Sequence, residues 1–356
     1  MTTIIAEAGV NHNGDKALAF ALVDAAHEAG ADIVKFQTFK AKNLVTSSAA
    51  QAEYQTRNTG KLESQFSMLS RLELSYETHR ELIAYCRKLG IEFLSTAFDS
   101  ESLHFLVDEL GLSRLKIPSG ELTNAPLVLE HAKTGCDLIV STGMATLEEI
   151  EHALGVISFG YLGLESEPCE GLFIEAFRSK EGQALLKERV TLLHCTTDYP
   201  ASLSDINLNA MDAMSGHFKL PVGYSDHSAG IVVSIAAAAK GALLIEKHFT
   251  LDCGMEGPDH KASLEPHQLK ALVRAVRDVE LALGDGCKVP RPSEIKNRNV
   301  ARKSLVAAKD IEVGELFTSN NLEVKRPGSG MEPSKYWYML GRKATKAFSE
   351  GEEIIE

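Results

Sequence analysis

The stretch that decides the fold is TIIAEAGVNHNGDKALAFALVDAAHEAGADIVKFQ, residues 3–37. It opens on a short apolar run, TIIAEA at 3–8, and closes on another, DIVKFQ at 32–37. Between them ALAFALVDAAHEAG carries a helical pattern and ends on Gly30, a residue suited to the position just past a helix end. Short, near-continuously apolar runs suit strands buried on both faces of a parallel sheet. The rhythm then repeats with EFLSTA (92–97), RLKIPS (114–119), DLIVST (137–142), VTLLHC (190–195), VGYSD (222–226) and LLIEKHF (243–249). Thr146 and Glu149 form a capping-box signature at the start of TLEEIEHAL. In PHQLKALVRAVRDVELALG, Leu269, Leu272, Val276, Val279 and Leu283 share one face. Eight strand–helix alternations predict an α/β fold, a (β/α)8 TIM barrel, with an open doubly wound sheet as the competing architecture.

The chain divides around that rhythm. Residues 1–284 are expected to be the barrel, 285–298 a Gly/Pro-bearing linker (GDGCKVPRPSE begins it at Gly284), and 299–356 a small β-rich module. A weak echo relates AKDIEVGELF to KAFSEGEEII within that module. Two segments interrupt the barrel pattern. Residues 40–74 form a long polar connection after the second strand, read as a helical excursion or a lid over the barrel mouth. Residues 159–188 lengthen a connection on the opposite face, where a structural or oligomer role is expected.

Composition narrows the function. With 37 basic and 49 acidic residues the net charge is −12, which argues against a nucleic-acid partner while leaving room for an anionic substrate in a local basic pocket. The six cysteines are dispersed without a CxxC pair, as expected of reduced thiols in a cytoplasm. No export leader is read in MTTIIAEAGV and no apolar run reaches membrane-spanning length, so a cytoplasmic protein without a membrane partner is expected.

Nearly every predicted strand ends in a polar group, although a doubly buried strand tolerates charge only where the charge has a task. The ends carry Glu7; Lys35 and Gln37; Thr96; Lys116, Ser119 and Glu121; Ser141 and Thr142. They continue with His194, Thr197 and Tyr199; Ser225, Asp226 and His227; Glu246 and His248. The C-terminal strand ends are where barrel enzymes assemble their sites. Lys35 and Lys116, with hydroxyls at Thr96, Ser119, Ser141 and Ser225, suggest a cradle for phosphate and carboxylate. A structural ion pair with Glu7 or Glu121 is the bland reading of either lysine. His227 and His248, on consecutive strands, are placed to share a divalent cation, with Mn²⁺ favoured and Mg²⁺ or Co²⁺ as substitutes. His12 is read as stabilising its loop, and His260 as a substrate contact or surface group.

The motifs AEAGVNHNG, VKFQTFKA, STAFD, KIPSGE, STGMAT, LLHCTTDYPA, GYSDHSAG, EKHFT and GPDHKAS resemble the sialic-acid synthase family. KRPGSG and LGRKA resemble its C-terminal antifreeze-like (SAF) domain. The resemblance implies an enzyme that condenses phosphoenolpyruvate with an N-acetylated mannose-type sugar, giving a nine-carbon sugar acid and phosphate, with Mn²⁺ or a similar ion. By motif, Lys35, Thr96, Lys116, Ser119, Ser141 and Ser225 correspond to phosphoenolpyruvate ligands, and His227 and His248 to metal ligands. Glu7 and Glu121 correspond to acid/base carboxylates. Gln37, Tyr199, Glu246 and Asp259 fall on the sugar side, and Arg326 on the arginine that a partner subunit's SAF domain delivers, which implies a domain-swapped homodimer. HCTTDYP, with Thr197 where many relatives carry an amide, is more similar to the legionaminic-acid synthase branch, whose sugar is a 2,4-diacetamido-6-deoxymannose. Two rival readings follow from single features: a Schiff-base aldolase using Lys35 or Lys116, and an ice- or carbohydrate-binding role for the last module.

Overall fold

In the computed structural model, which describes residues 1–355, the eight runs close into one parallel barrel in sequence order. The strands are β1 (Thr3–Gly9), β2 (Ile33–Thr38), β3 (Glu92–Ala97), β4 (Arg114–Ile117), β5 (Asp137–Ser141), β6 (Val190–Cys195), β7 (Val222–Asp226) and β8 (Leu244–His248). β1 pairs with β2 on one side and β8 on the other, setting Glu7 opposite both Lys35 and His248. That closure rules out the open sheet.

Side chains alternate between the two faces of a strand, so residues two apart share a face. Ile5, Ile33, Leu94, Ile139, Leu193 and Leu244 form a buried apolar cluster of their own inside the barrel. Two residues further along the same strands stand Glu7, Lys35, Thr96, Ser141, Cys195 and Glu246. The barrel thus has an apolar floor and a polar layer directly above it. The other parity of each strand packs against the helices in the large outer core.

The local signals hold. Gly30 has φ 82°, the left-handed conformation that closes the helix Lys16–Ala29. Glu149 N donates to Thr146 Oγ1 at 3.2 Å and Thr146 N to Glu149 Oε2 at 2.8 Å, completing the capping box. The last barrel helix, Pro266–Leu283, buries Leu269, Leu272 and Val276 but leaves Leu283 55% exposed.

The 40–74 connection contains the helices Ala41–Leu44, Glu53–Thr59 and Gln65–Leu72. Met68 and Leu72 pack with Val10 and Phe39 in a small separate core. The 159–188 segment supplies the helices Glu170–Arg178 and Lys180–Arg189. Phe173 stands edge-on to Phe159 at 5.4 Å, and a Cβ at Gly155 would meet the Phe173 carbonyl at 2.9 Å, so the bare glycine lets these helices dock. Among the described residues no helix is long and apolar enough to cross a membrane.

The chain separates into two compact units after Gly284. The second contains a helix, Pro292–Ala301, which overlaps the end of the stretch read as a Gly/Pro-bearing linker; Pro292 pre-sets its first turn and Glu294 accepts from Arg291 N at 2.9 Å. Beyond it β9 (Ser304–Ala307) and β10 (Leu322–Lys325) pair antiparallel around Leu305, Ile311, Phe317 and Phe348. The two echoed segments are bonded to one another, with Ile311 and Phe348 exchanging backbone hydrogen bonds of 2.8 and 2.9 Å.

Candidate active site

The inner parity of the strands brings the predicted residues to one place. A cavity of about 350 Å³ at the barrel mouth is lined by Glu7, Lys35, Gln37, Thr96, Lys116, Ser119, Glu121 and Ser141. Thr197, Tyr199, Ser225, His227, Glu246, His248 and Asp259 complete its polar part. Arg326 belongs to the C-terminal unit, where its side chain is exposed and Nε donates to Ala301 O at 3.0 Å.

At the centre four charges share a nearly dry layer. Lys35 Nζ lies 2.8 Å from Glu7 and 3.4 Å from Glu246, and bonds Thr96 Oγ1 at 3.1 Å. Lys116 Nζ donates to Ser141 Oγ at 2.6 Å and pairs with Glu246 at 3.5 Å. The sequence offered Glu7 or Glu121 as its ion partner; the structure supplies Glu246, from a strand that only barrel closure brings near. Burial opposes every one of these charges, and the geometry decides which survive. Glu246, beside both lysines and accepting from Ser225 Oγ at 2.8 Å, is held well below the usual carboxylate range despite its burial. Burial, reinforced by the Glu246 charge, pushes Glu7 up to about 7, although Lys35 opposes the shift. Burial also works against Lys35, but the Glu246 and Glu7 carboxylates outweigh it and raise its pKa. Lys116 is lowered by burial, with Glu246 opposing.

The histidine pair stands beside this layer with ring centroids 5.6 Å apart. His227 Nδ1 donates to Thr196 O at 2.6 Å, which leaves Nε2 as the nitrogen with a free lone pair. His248 Nδ1 is buried without a hydrogen-bond partner. Burial lowers His227 to about 4 and His248 well below its ordinary value, so both rings stay neutral, the form that binds metal. Among the described residues no third His, Cys, Asp or Glu completes a cluster, so water or substrate oxygens would have to fill the other positions. The donor set therefore fits a divalent ion with an open coordination sphere.

Ser119 is held at the rim, accepting from Gly143 N at 2.9 Å. Gly143 is needed bare, because a Cβ there would stand 2.8 Å from Ser119 Oγ and 3.1 Å from Cys195 Sγ. Glu121 is half-buried and accepts from Asn124 Nδ2 at 2.7 Å. Asp259 is buried, its carboxylate accepts no hydrogen bond from the described residues, and burial alone raises it to about 6.

Three strand-end residues face the helix layer instead of the mouth. Asp226 pairs with Lys247 at 3.1 Å, Thr142 Oγ1 donates to Leu193 O at 2.9 Å, and His194 Nε2 bonds Ile206 O at 2.6 Å. The period-two rule applied to each strand would have sorted them from Ser225, Ser141 and Cys195. His12 is buried and its Nδ1 accepts from Gly14 N at 3.0 Å, the expected loop role. His260 is fully buried, bonding Thr250 Oγ1 at 2.7 Å and Asn13 Oδ1 at 3.3 Å. It therefore ties loops together, is not a surface group, and is not among the residues lining the mouth cavity. The 40–74 excursion was expected to be helical or to lie over the barrel mouth, but sequence reading named none of the residues with which it lines the cavity: Leu44, Val45, Tyr54, Gln55, Met68 and Leu69. The apolar spacing of QFSMLSRL was the available signal.

The NeuB family model matches residues 22–288 and the SAF domain model residues 302–354. The chain belongs to the NeuB family. It is 50% identical to the N,N'-diacetyllegionaminic acid synthase of Campylobacter jejuni, over 100% of this chain and 99% of that one. It is 44% identical to the N,N'-diacetyllegionaminic acid synthase of Legionella pneumophila, over 99% of this chain and 93% of that one. The crystal structure of N-acetylneuraminic acid synthetase from Leptospira borgpetersenii in complex with citrate superposes with a TM-score of 0.65 at 31% identity, covering 83% of this chain and 90% of that one. The protein is therefore an enzyme, a nonulosonic-acid synthase of the NeuB type, and the aldolase and ice-binding readings are not favoured.

Proposed function

We propose that this synthase condenses phosphoenolpyruvate with 2,4-diacetamido-2,4,6-trideoxymannose in preference to N-acetylmannosamine, in the cytoplasm and with Mn²⁺ or a comparable divalent ion. The observation that carries the chemistry is the junction, in one buried layer, of two lysines with two neutral histidines. The preference for the diacetamido sugar is supported by the HCTTDYP motif and by the names of the two relatives given above.

Lys35 and Lys116, with Thr96, Ser119, Ser141 and Ser225, bind and neutralise the phosphate and carboxylate of phosphoenolpyruvate. Gln37, Tyr199, Glu246 and Asp259 orient the open-chain sugar so that its C1 faces C3 of phosphoenolpyruvate. A divalent ion held by His227 and His248 would supply Lewis acidity toward the aldehyde oxygen. C3 attacks C1, water adds at C2, and the tetrahedral intermediate loses phosphate by C–O cleavage. Glu7, with a proton affinity near neutrality, is the better suited of the two carboxylates to take the proton from that water; Glu121 lies at the rim. Phosphate release from phosphoenolpyruvate with each sugar tests the assignment. A preference for the diacetamido sugar of ~100-fold, equivalent to about 2.7 kcal/mol, is expected. A reversed preference refutes it.

Arg326 reaches the sugar's N-acetyl group from a partner subunit in a domain-swapped homodimer. Mixing an Arg326→Ala protein with a His248→Ala protein should then regain turnover, because one barrel of each mixed dimer has both an intact mouth and an intact arginine. Two inactive proteins that stay inactive after mixing would argue against the swap.

A further inference from the structure

The cavity has two unlike walls. The strand ends line it with polar and charged groups, while the excursion after β2 adds a largely apolar contribution, Leu44, Val45, Met68 and Leu69, together with Tyr54, Gln55 and Gln65. A cavity shaped only for a polyhydroxylated sugar has no use for such a wall, since each hydroxyl set against it would lose its water without gaining a partner.

Tyr54 ties this wall to the chemistry. Its ring stacks on Tyr199 at 4.9 Å, and Tyr199 in turn lies 4.1 Å from His227. Tyr54 is thus linked to the histidines through the Tyr199 ring. The Tyr54 hydroxyl accepts from Gln55 Nε2 at 3.4 Å, and its own proton has no acceptor among the described residues. Asp259 lines the same cavity, and its carboxylate too accepts no hydrogen bond from the described residues. An unused O–H donor and an unused carboxylate acceptor in one cavity suit the C=O and the N–H of a secondary amide held between them. The helix carrying Tyr54 is fixed in place: Asn58 Nδ2 donates to Pro258 O at 2.7 Å and Arg57 to Tyr199 O at 3.2 Å. It thus bridges the loops after β6 and β8.

We infer that this wall is the subsite for the distal half of the sugar, with Tyr54 and Asp259 holding a second acetamido group and the Val45–Leu69 surface covering a deoxy methyl. The inference rests on the substrate reading above and deepens it: selection between the two sugars is made by the excursion together with Asp259 from the loop after β8. Tyr54→Phe keeps the ring and removes the donor; Leu69→Asn puts a polar group where the methyl would sit.

Each variant, and the unchanged protein, is assayed for phosphate release with phosphoenolpyruvate, Mn²⁺ and either sugar. The quantity read is the ratio of kcat/KM for the diacetamido sugar to that for N-acetylmannosamine. It should fall about tenfold or more in both variants. A general loss of folded enzyme scales both values together and leaves the ratio unchanged. Ratios within about twofold of the unchanged protein in both variants would overturn the subsite. An unchanged protein that releases phosphate with neither sugar would instead overturn the substrate reading, and the two failures are distinct.

Discussion

Asp226 and Asp259 are both buried aspartates on the C-terminal side of the barrel, and they are treated in opposite ways. Asp226 faces the helix layer and has every need met. Lys247 lies 3.1 Å away, Ser228 donates through N and Oγ at 2.8 and 2.6 Å, and Ser234 Oγ donates at 2.5 Å. Lys247 in turn donates to Ser228 O at 2.5 Å. Asp259 faces the mouth and has no partner, so burial pushes its carboxyl up to about 6. A saturated charge cluster has no capacity left for a ligand and serves the fold. An unsaturated one costs stability and keeps its capacity for substrate.

That contrast can be broken experimentally at several points. The largest effects belong to the mouth. Lys116→Ala and His248→Ala should each lower turnover by ~10³-fold or more while leaving the thermal transition near that of the unchanged protein. Near-normal phosphate release by either purified variant would remove the assignment of the mouth as the active site.

On the helix side the expected loss is one of stability. Lys247→Met leaves the Asp226 charge buried and uncompensated, and should cost ~3–5 kcal/mol in urea unfolding. The fraction that remains folded should keep its kcat within a few fold. A stable variant with impaired turnover would show the outer pair to be part of the site.

Asp259→Asn should do the reverse, gaining stability at the expense of sugar binding. The carboxyl's folded value of about 6 lies above its ordinary value of 3.8, so the folded state is favoured below pH 4 and loses that advantage as pH rises through 6. Asparagine mimics the neutral form. The variant should therefore gain ~1–3 kcal/mol at pH 8 and nothing near pH 4, with a raised KM for the sugar. A destabilised variant at pH 8 would mean that Asp259 has a structural partner after all. The smallest effect is expected for Ser234→Ala, which removes one of several donors to Asp226 and should cost ~1 kcal/mol with unchanged kinetics.

Much of the site was legible because barrel chemistry collects at the C-terminal ends of the strands, and strands announce themselves locally. Lys35, Lys116, Ser141, Glu246 and His248 were found from their position in apolar runs. Position at a strand end does not by itself say which polar groups point inward; parity along the strand turns Asp226, His194 and Thr142 to the helix layer. The partner of Lys116 was not legible at all: Glu246 is distant in sequence, and the pairing exists only once the barrel closes. His260 was read as a substrate contact or a surface group and is a buried tie between loops, since a hydrogen bond to Thr250 carries no sequence signature.

By itself the sequence determined the alternation of buried strands and amphipathic helices, the helix stops and caps, the division near Gly284 and the family. These are encoded by periodicities and motifs only a few residues long. The tertiary structure alone decided how the charges settle: Glu246 held ionised between two lysines, Glu7 raised toward neutrality beside it, both histidines kept neutral, Asp259 left unpaired and Asp226 saturated. It also brought the excursion's largely apolar side chains to the polar mouth. Each of these outcomes depends on burial and on distances between residues far apart in the chain, and the local pattern fixes neither.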